Sequence, residues 1–197
     1  MTVPPGRPAV PPGERPPPDP LLGGGSAGEL LALFDALPPV HVDDVVGAWL
    51  GAGVPTGHPF DGLLERLGWH GKRFAGTEDG YPLVFRGAGG ALWSLDPGRL
   101  PLALLVRRPG VARLPLAAGA FRRVLPLLAT RRPRSRLRTV EHRGVRTAAM
   151  VYDAVPIIDV FRRVDDRTLL GVMDLRGMPE PYFFVLRRAQ ATGERTR

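Results

Sequence analysis

GAWLGAG (47–53) sets one tryptophan, Trp49, among Gly47, Gly51 and Gly53. Tryptophan favours strands, whereas glycine weakens them and is kept where a backbone bends or another group comes close. The stretch therefore predicts a strand anchored at one side chain and pinched around it.

Outward from this strand the pattern alternates between short helices and short strands. Upstream, AGELLALFDAL (27–37) places Leu30, Leu31, Phe34 and Leu37 on one helical stripe, and Pro38-Pro39 stop it. Downstream, HPFDGLLERLG (58–68) reads as a second short helix with Leu63, Leu64 and Leu67 on one face and Gly68 at its end. WHGKRFAG, YPLVFRG and ALWSLDPG follow as short strands between Gly-rich turns. LPLALLVRR and AGAFRRVLPLL return to helical spacing, with Phe121, Val124, Leu125 and Leu128 as the clearest stripe and Pro126 expected to kink the helix or end it early. The last third, from RLRTVEHRG to PYFFVLRRA, reads as five strands joined by turns of two to five residues, an antiparallel meander.

These elements predict a mainly β fold. They predict an antiparallel barrel or strongly curved sheet of about eight to ten strands, a size that holds a small ligand, with helical insertions covering part of it. Four segments are expected: a disordered Pro/Gly-rich tail over 1–26, one half of the barrel over 27–100, a basic helical insertion over 101–134, and a C-terminal meander completing the barrel over 135–190. The tail assignment rests on nine prolines among the first 20 residues and the closing GGGS.

The 197 residues are 44% hydrophobic, enough for one domain with a sizeable core plus extra segments. No run of about 18 apolar residues predicts a transmembrane helix, and no charged start followed by an apolar stretch predicts a secretory signal. Cysteine is absent, which excludes disulfides, thiolate nucleophiles and Cys-ligated metals and fits a cytoplasmic location. The net charge of +8 is uneven: residues 107–146 hold twelve arginines against Glu141 alone, so that segment carries +11 and the remainder −3. Such a run fits a nucleic acid or an anionic membrane as partner, or simply a solvated face. Phe121 is the one aromatic in the run, which argues against base stacking. A helix with Arg122 and Arg123 opposite an apolar stripe would suit a membrane surface.

Gly47-x-Trp49-x-Gly51 resembles the signature of a small bacterial family named for its Gly-x-Trp-x-Gly motif. The similarity runs through LPPVHVDDVVGAWLGAGVPTGHPFDGLLERLGWHGKRF (37–74) and resumes at RLRTVEHRGVRTAAMVYDAVPIIDVFRRVDDRTLLGVMDLRG (136–177), which looks like the domain of unknown function paired with that motif. This resemblance implies a fold and no settled activity. A looser similarity runs to the calycins: lipocalins, fatty-acid-binding proteins and nitrobindin-like haem barrels, whose first strand carries Gly-x-Trp. It implies that Trp49 plugs one end of a barrel and that Gly47, Gly51 and Gly53 let the strand coil around it. It also implies a haem-ligating histidine in the last strands; no histidine follows His142, so neither haem nor any other cofactor is expected.

His41, His58, His70 and His142 show no i,i+4 pair, so no metal site is predicted. Tyr152, Asp153 and Asp159 flank a turn at Pro156, and Asp174 stands in the apolar context GVMDLRG. Alternation puts Asp159 with Phe161 on one face and Asp174 with Leu170 and Val172 on one face. An acid on an apolar strand face is destabilising unless paired, so each is either ion-paired, with Arg162, Arg163 or Arg138 as partners, or a carboxylate in a cavity with its pKa raised by desolvation. Lys72 is the only lysine beside 26 arginines, and a lysine is the cation whose pKa burial tunes. The candidate acid–base set is therefore Asp159, Tyr152, Lys72 and Asp174. The candidate ligand-lining set is Trp69, Trp93, Phe161, Tyr182, Phe184 and His58. No nucleophile elbow, phosphate loop or dinucleotide fingerprint is present.

Three functions fit: a barrel binding a small hydrophobic ligand such as a fatty acid, polyketide or terpenoid; a cofactor-free isomerase or cyclase using the same cavity; and nucleic-acid or membrane binding through the basic segment. A polar cluster at the cavity base would favour the enzyme, and a wholly apolar cavity the carrier.

Overall fold

A computed structural model describes residues 20–87, 90–108, 110 and 116–189. Nine strands form one sheet: β1 (Gly47–Gly53), β2 (Trp69–Phe74), β3 (Gly80–Arg86), β4 (Leu92–Ser94), β5 (Ser135–His142), β6 (Val145–Tyr152), β7 (Ile157–Asp165), β8 (Thr168–Leu175) and β9 (Met178–Arg188). The helices are short: α1 (Ala27–Ala36), α2 (Val42–Val45), α3 (Leu63–Leu67), α4 (Leu102–Arg107) and α5 (Ala117–Leu128). The fold is thus mainly β, as its alternating pattern predicts. The strand order is β2-β1-β9-β8-β7-β6-β5-β3-β4, with β2 also pairing β3, and all pairs are antiparallel. Strands β5 to β9 form the expected meander. β3 joins it through one register pair, Gly80 with Ser135.

The sheet buries side chains on both faces. One face collects Trp49, Trp69, Phe74, Leu83, Met150, Phe161, Phe184 and Leu186 in the larger core cluster. On the other, α1 lays Leu30 and Phe34 over Val160, Leu170, Val172, Phe183 and Val185. β9 consequently reads FFVL with no polar alternation, because both of its faces are covered. Helix α1 starts on a capping box in which Ser26 and Glu29 bond each other's backbone and side chain reciprocally.

The tail assignment changes at its C-terminal end. Residues 1–19 lie outside the described residues, but Pro20–Gly23 form a 3-10 turn, Leu21 and Leu22 pack on the α1 cluster, and Ser26 caps the helix. Helix α5 runs through Pro126 to Leu128. Leu125 is buried, Phe121 meets Phe85 edge to face, and Leu128 packs on the same core, whereas Val124 is exposed.

Gly47 takes φ +135°, a backbone angle that favours glycine, and the other two glycines of GAWLGAG make room for side chains of neighbouring strands. A Cβ at Gly51 would lie 2.3 Å from the Trp69 ring, and one at Gly53 would lie 2.5 Å from Tyr182 Oη. Gly171 serves Phe184 in the same way, with a Cβ clash at 2.4 Å. Gly51, Gly53 and Gly171 each vacate the space that an aromatic side chain of the neighbouring strand fills. Trp49 itself is buried; its indole N–H donates to Val45 O at 2.8 Å, and the Arg188 guanidinium lies 4.4 Å from the ring centroid.

Candidate functional site

The rings admitted by these glycines wall a cavity of about 100 Å³. Phe60, Leu63, Trp69, Leu83, Ile157, Tyr182 and Phe184 are its buried walls, and the half-buried Leu64, Leu100, Leu102, Leu105 and Val155 form the rim between α3, α4 and the β6–β7 turn. Its polar floor consists of Lys72, Tyr152 and Asp159.

A defect in β2 brings Lys72 inward. Simple alternation from the inward-facing Trp69 would point Lys72 away from the core. The β2–β3 ladder, however, shifts register on both sides of Gly71, and inward positions after it are Lys72 and Phe74. Gly71 has φ +144°, and a Cβ there would stand 1.9 Å from Trp49 O, so the bulge requires glycine. Asp159 arrives by ordinary alternation on β7, between Ile157 and Phe161, and Tyr152 ends the inward row of β6.

The Lys72 ammonium donates to Asp159 Oδ2 at 2.7 Å, to Pro82 O at 3.3 Å and to Tyr152 Oη at 3.4 Å. The Tyr152 hydroxyl donates to the same Asp159 Oδ2 at 3.3 Å. Aromatic faces enclose the ammonium, which lies 5.0 Å from the Phe184 centroid, 5.6 Å from Trp69 and 5.7 Å from Tyr152. Lys72 is 4% exposed and Asp159 1%. Desolvation pushes the Asp159 carboxyl above its ordinary range, against the opposing pull of the Lys72 charge. Desolvation, then the Asp159 charge, pushes the Tyr152 phenol well up. Asp159 Oδ1, the Tyr182 hydroxyl and the Trp69 indole N–H have no hydrogen-bond partner.

The cavity therefore unites six of the ten sequence candidates: Lys72, Tyr152, Asp159, Trp69, Tyr182 and Phe184. The partner of Asp159 is Lys72 rather than an arginine: Arg163 pairs with Asp44 and Arg138 with Glu78. Four candidates lie elsewhere. Asp174 is exposed on the face that α1 covers, where it lines a surface hollow with Leu31 of the helix and with His142 and Arg143, while Leu170 and Val172 are buried beneath the helix. Trp93 lines a separate surface hollow with Ala129, Thr130 and Arg131. Phe161 stands behind the wall, edge to face with Phe74 and Phe184. His58 backs Phe60 and Tyr182, with ring centroids 5.3 Å from each, and burial lowers its pKa. The rim leucines of α4 were not legible as ligand-lining residues, because LPLALLVRR signals only an apolar helix.

The basic run is partly neutralised by acids from other segments. Arg134 pairs with Asp96, Arg136 with Asp153, Arg138 with Glu78 and Arg143 with Asp35. Arg122 and Arg123 are exposed. No helix among the described residues is long and apolar enough to cross a membrane, and no group of three or more His, Asp or Glu among them is placed to hold a metal.

Residues 32–90 match the family described as GXWXG protein, and residues 133–188 match a domain of unknown function, DUF4334. The chain is similar to a protein from Thermomonospora curvata of solved crystal structure, at 31% identity over 85% of this chain and 92% of that one, with a TM-score of 0.63. No curated protein matches.

Proposed function

The chain belongs to the GXWXG family and carries its paired DUF4334 domain, and we propose that it binds a small, largely apolar molecule in the cavity above Lys72, Tyr152 and Asp159. One observation carries this: an apolar, aromatic-walled cavity that ends on a single buried polar cluster. The pairing of β2 with β3 supports reading the sheet as a closed, calycin-like barrel around that cavity, since eight of its strands then have neighbours on both sides.

The volume narrows the ligand. An apolar cavity of about 150 Å³ takes benzene, so about 100 Å³ encloses only a few heavy atoms. A long fatty acid or terpenoid would have to reach out past Leu100, Leu102 and Leu105, or displace α4. A short or compact ligand fits without movement.

A second reading has an observation of its own. A carrier of apolar cargo needs no buried ion pair, whereas a carboxylate of raised pKa beside a lysine and a tyrosine is suited to moving a proton. On this reading the protein is a cofactor-free isomerase or cyclase, and Asp159 is the base.

Native mass spectrometry of the purified protein, with extraction of bound material, tests the binding reading. It predicts a small organic molecule released on denaturation and missing from Leu100→Trp, which closes the rim. A molecule retained equally by that variant, or none in either protein, would overturn it.

A further inference from the structure

We infer that the ligand of this cavity is a neutral hydrogen-bond donor, an alcohol or its N–H equivalent, received by Asp159 Oδ1. The inference rests on the cavity reading above and adds the chemistry of what enters.

It follows from counting protons at the floor. An ammonium has three to give. Lys72 directs them at Asp159 Oδ2, Pro82 O and Tyr152 Oη, so none is left for a ligand. The Tyr152 proton goes to Asp159 Oδ2 as well. That oxygen therefore accepts twice, while its twin, Oδ1, accepts nothing although Asp159 is 1% exposed. The unspent capacity of the cluster is thus a single acceptor, and a buried charged acceptor left unmade is costly.

Charge points the same way. Lys72 and Asp159 together bring one positive and one negative charge, so the floor offers an anion no net attraction. A carboxylate ligand would meet Asp159 Oδ1 as like charge against like charge. Two wall residues carry further unpartnered groups, the Trp69 N–H and the Tyr182 O–H, and both can donate. The Tyr182 oxygen lies against Gly53, where a Cβ would come within 2.5 Å, and so away from the floor. A hydroxyl has the proton that Oδ1 lacks. A ketone has no proton to give and leaves Oδ1 bare. The raised pKa of Asp159 makes that oxygen a stronger base than a solvated carboxylate, which suits it to hold a ligand proton.

Four probes of matched size test this on the full chain by ligand-detected NMR at neutral pH: butan-2-ol, butan-2-one, 2-methylbutane and isobutyrate. The alcohol is expected to bind at least about tenfold more tightly than each of the others, the usual yield of a hydrogen bond to a charged group. Ketone or hydrocarbon binding as tight as the alcohol would overturn the donor inference while leaving the cavity reading intact. Isobutyrate binding tightest would overturn the charge argument and with it the inference. Failure of all four to bind would overturn the cavity reading together with this one. Asp159→Asn adds an independent sign. Its amide oxygen must face the Lys72 ammonium, which turns the NH₂ toward the ligand, and because alcohol and ketone both accept from an NH₂ the preference for the alcohol should be lost. If that variant does not fold, the wild-type series decides alone.

Discussion

Consider removing the two charges at the cavity floor, first singly and then together. Lys72 and Asp159 are 3% and 2% exposed at their side chains and meet at 2.7 Å. Taking away one partner leaves the other as an uncompensated buried charge, which costs about 3–5 kcal/mol. For a chain of this length that corresponds to a fall in Tm of about 6–20 °C. Replacing both by apolar residues of similar volume removes the desolvation penalty of each ion, and such swaps range from neutral to about 4 kcal/mol stabilising. Lys72→Met and Asp159→Leu should therefore each be strongly destabilising, while the double variant should be at least as stable as wild type. Urea unfolding of the four proteins of the cycle at pH 7, extrapolated to water, reads this directly. A double variant that loses the sum of the two singles would show that the groups do not interact. Singles within about 0.5 kcal/mol of wild type would show that the pair is solvated. Either result refutes the reasoning. The expected result makes the pair a net burden on the fold, retained for what it does in the cavity.

The other predictions concern the walls and the core. Gly51→Ala drives a Cβ to 2.3 Å from the Trp69 ring and should cost about 1–3 kcal/mol by denaturation; Gly28→Ala, where nothing lies within 4 Å in helix α1, should instead stabilise by about 0.5–1 kcal/mol. Trp49→Ala should cost about 3–5 kcal/mol, and an unchanged denaturation midpoint would remove its anchoring role. Burial lowers the pKa of His58 and His142 below the ordinary 6.5, so the folded state favours their neutral forms. The stability they contribute is present above pH 6.5 and lost as the pH falls from there through their lowered values. Thermal melts of His58→Gln/His142→Gln should show a smaller loss over that window than wild type, and parallel curves would contradict the assignment.

Much of this was legible in the chain. The meander of β5 to β9 follows from its short turn-like joins, the α1 stripe from a repeat of 3.6 residues, and the placement of Asp159 on the face of Phe161 from alternation along β7. Lys72 stood out by composition alone. Its inward direction was hidden, because alternation from Trp69 points it outward and only the bulge at Gly71, where the Trp49 carbonyl of the next strand leaves no room for a Cβ, reverses it. Asp174 misled for the opposite reason: its apolar neighbours are real, but they mark the face beneath α1, a packing that the local sequence does not encode. The glycines of GAWLGAG mark either a bend or a close approach in the sequence, and the coiling around Trp49 expected of them does not foretell the side chains that Gly51 and Gly53 admit. What approaches, Trp69 and Tyr182, lies on strands paired with β1 from distant parts of the chain, and only the sheet order reveals it. Likewise the acids that neutralise Arg134, Arg136, Arg138 and Arg143 come from outside their own run, so a count along the chain overstates the free positive charge.

The central claim is that a small molecule occupies the cavity above the Lys72–Asp159 pair. Methyl-labelled NMR during a butan-2-ol titration tests it most directly. The account predicts saturable shifts confined to methyls of Leu63, Leu83, Leu100, Leu102, Leu105 and Ile157, with those of Leu170, Val172 and Val185 beneath α1 unmoved. Shifts that appear in the α1 cluster instead, or no saturable shift at the cavity methyls, would contradict it.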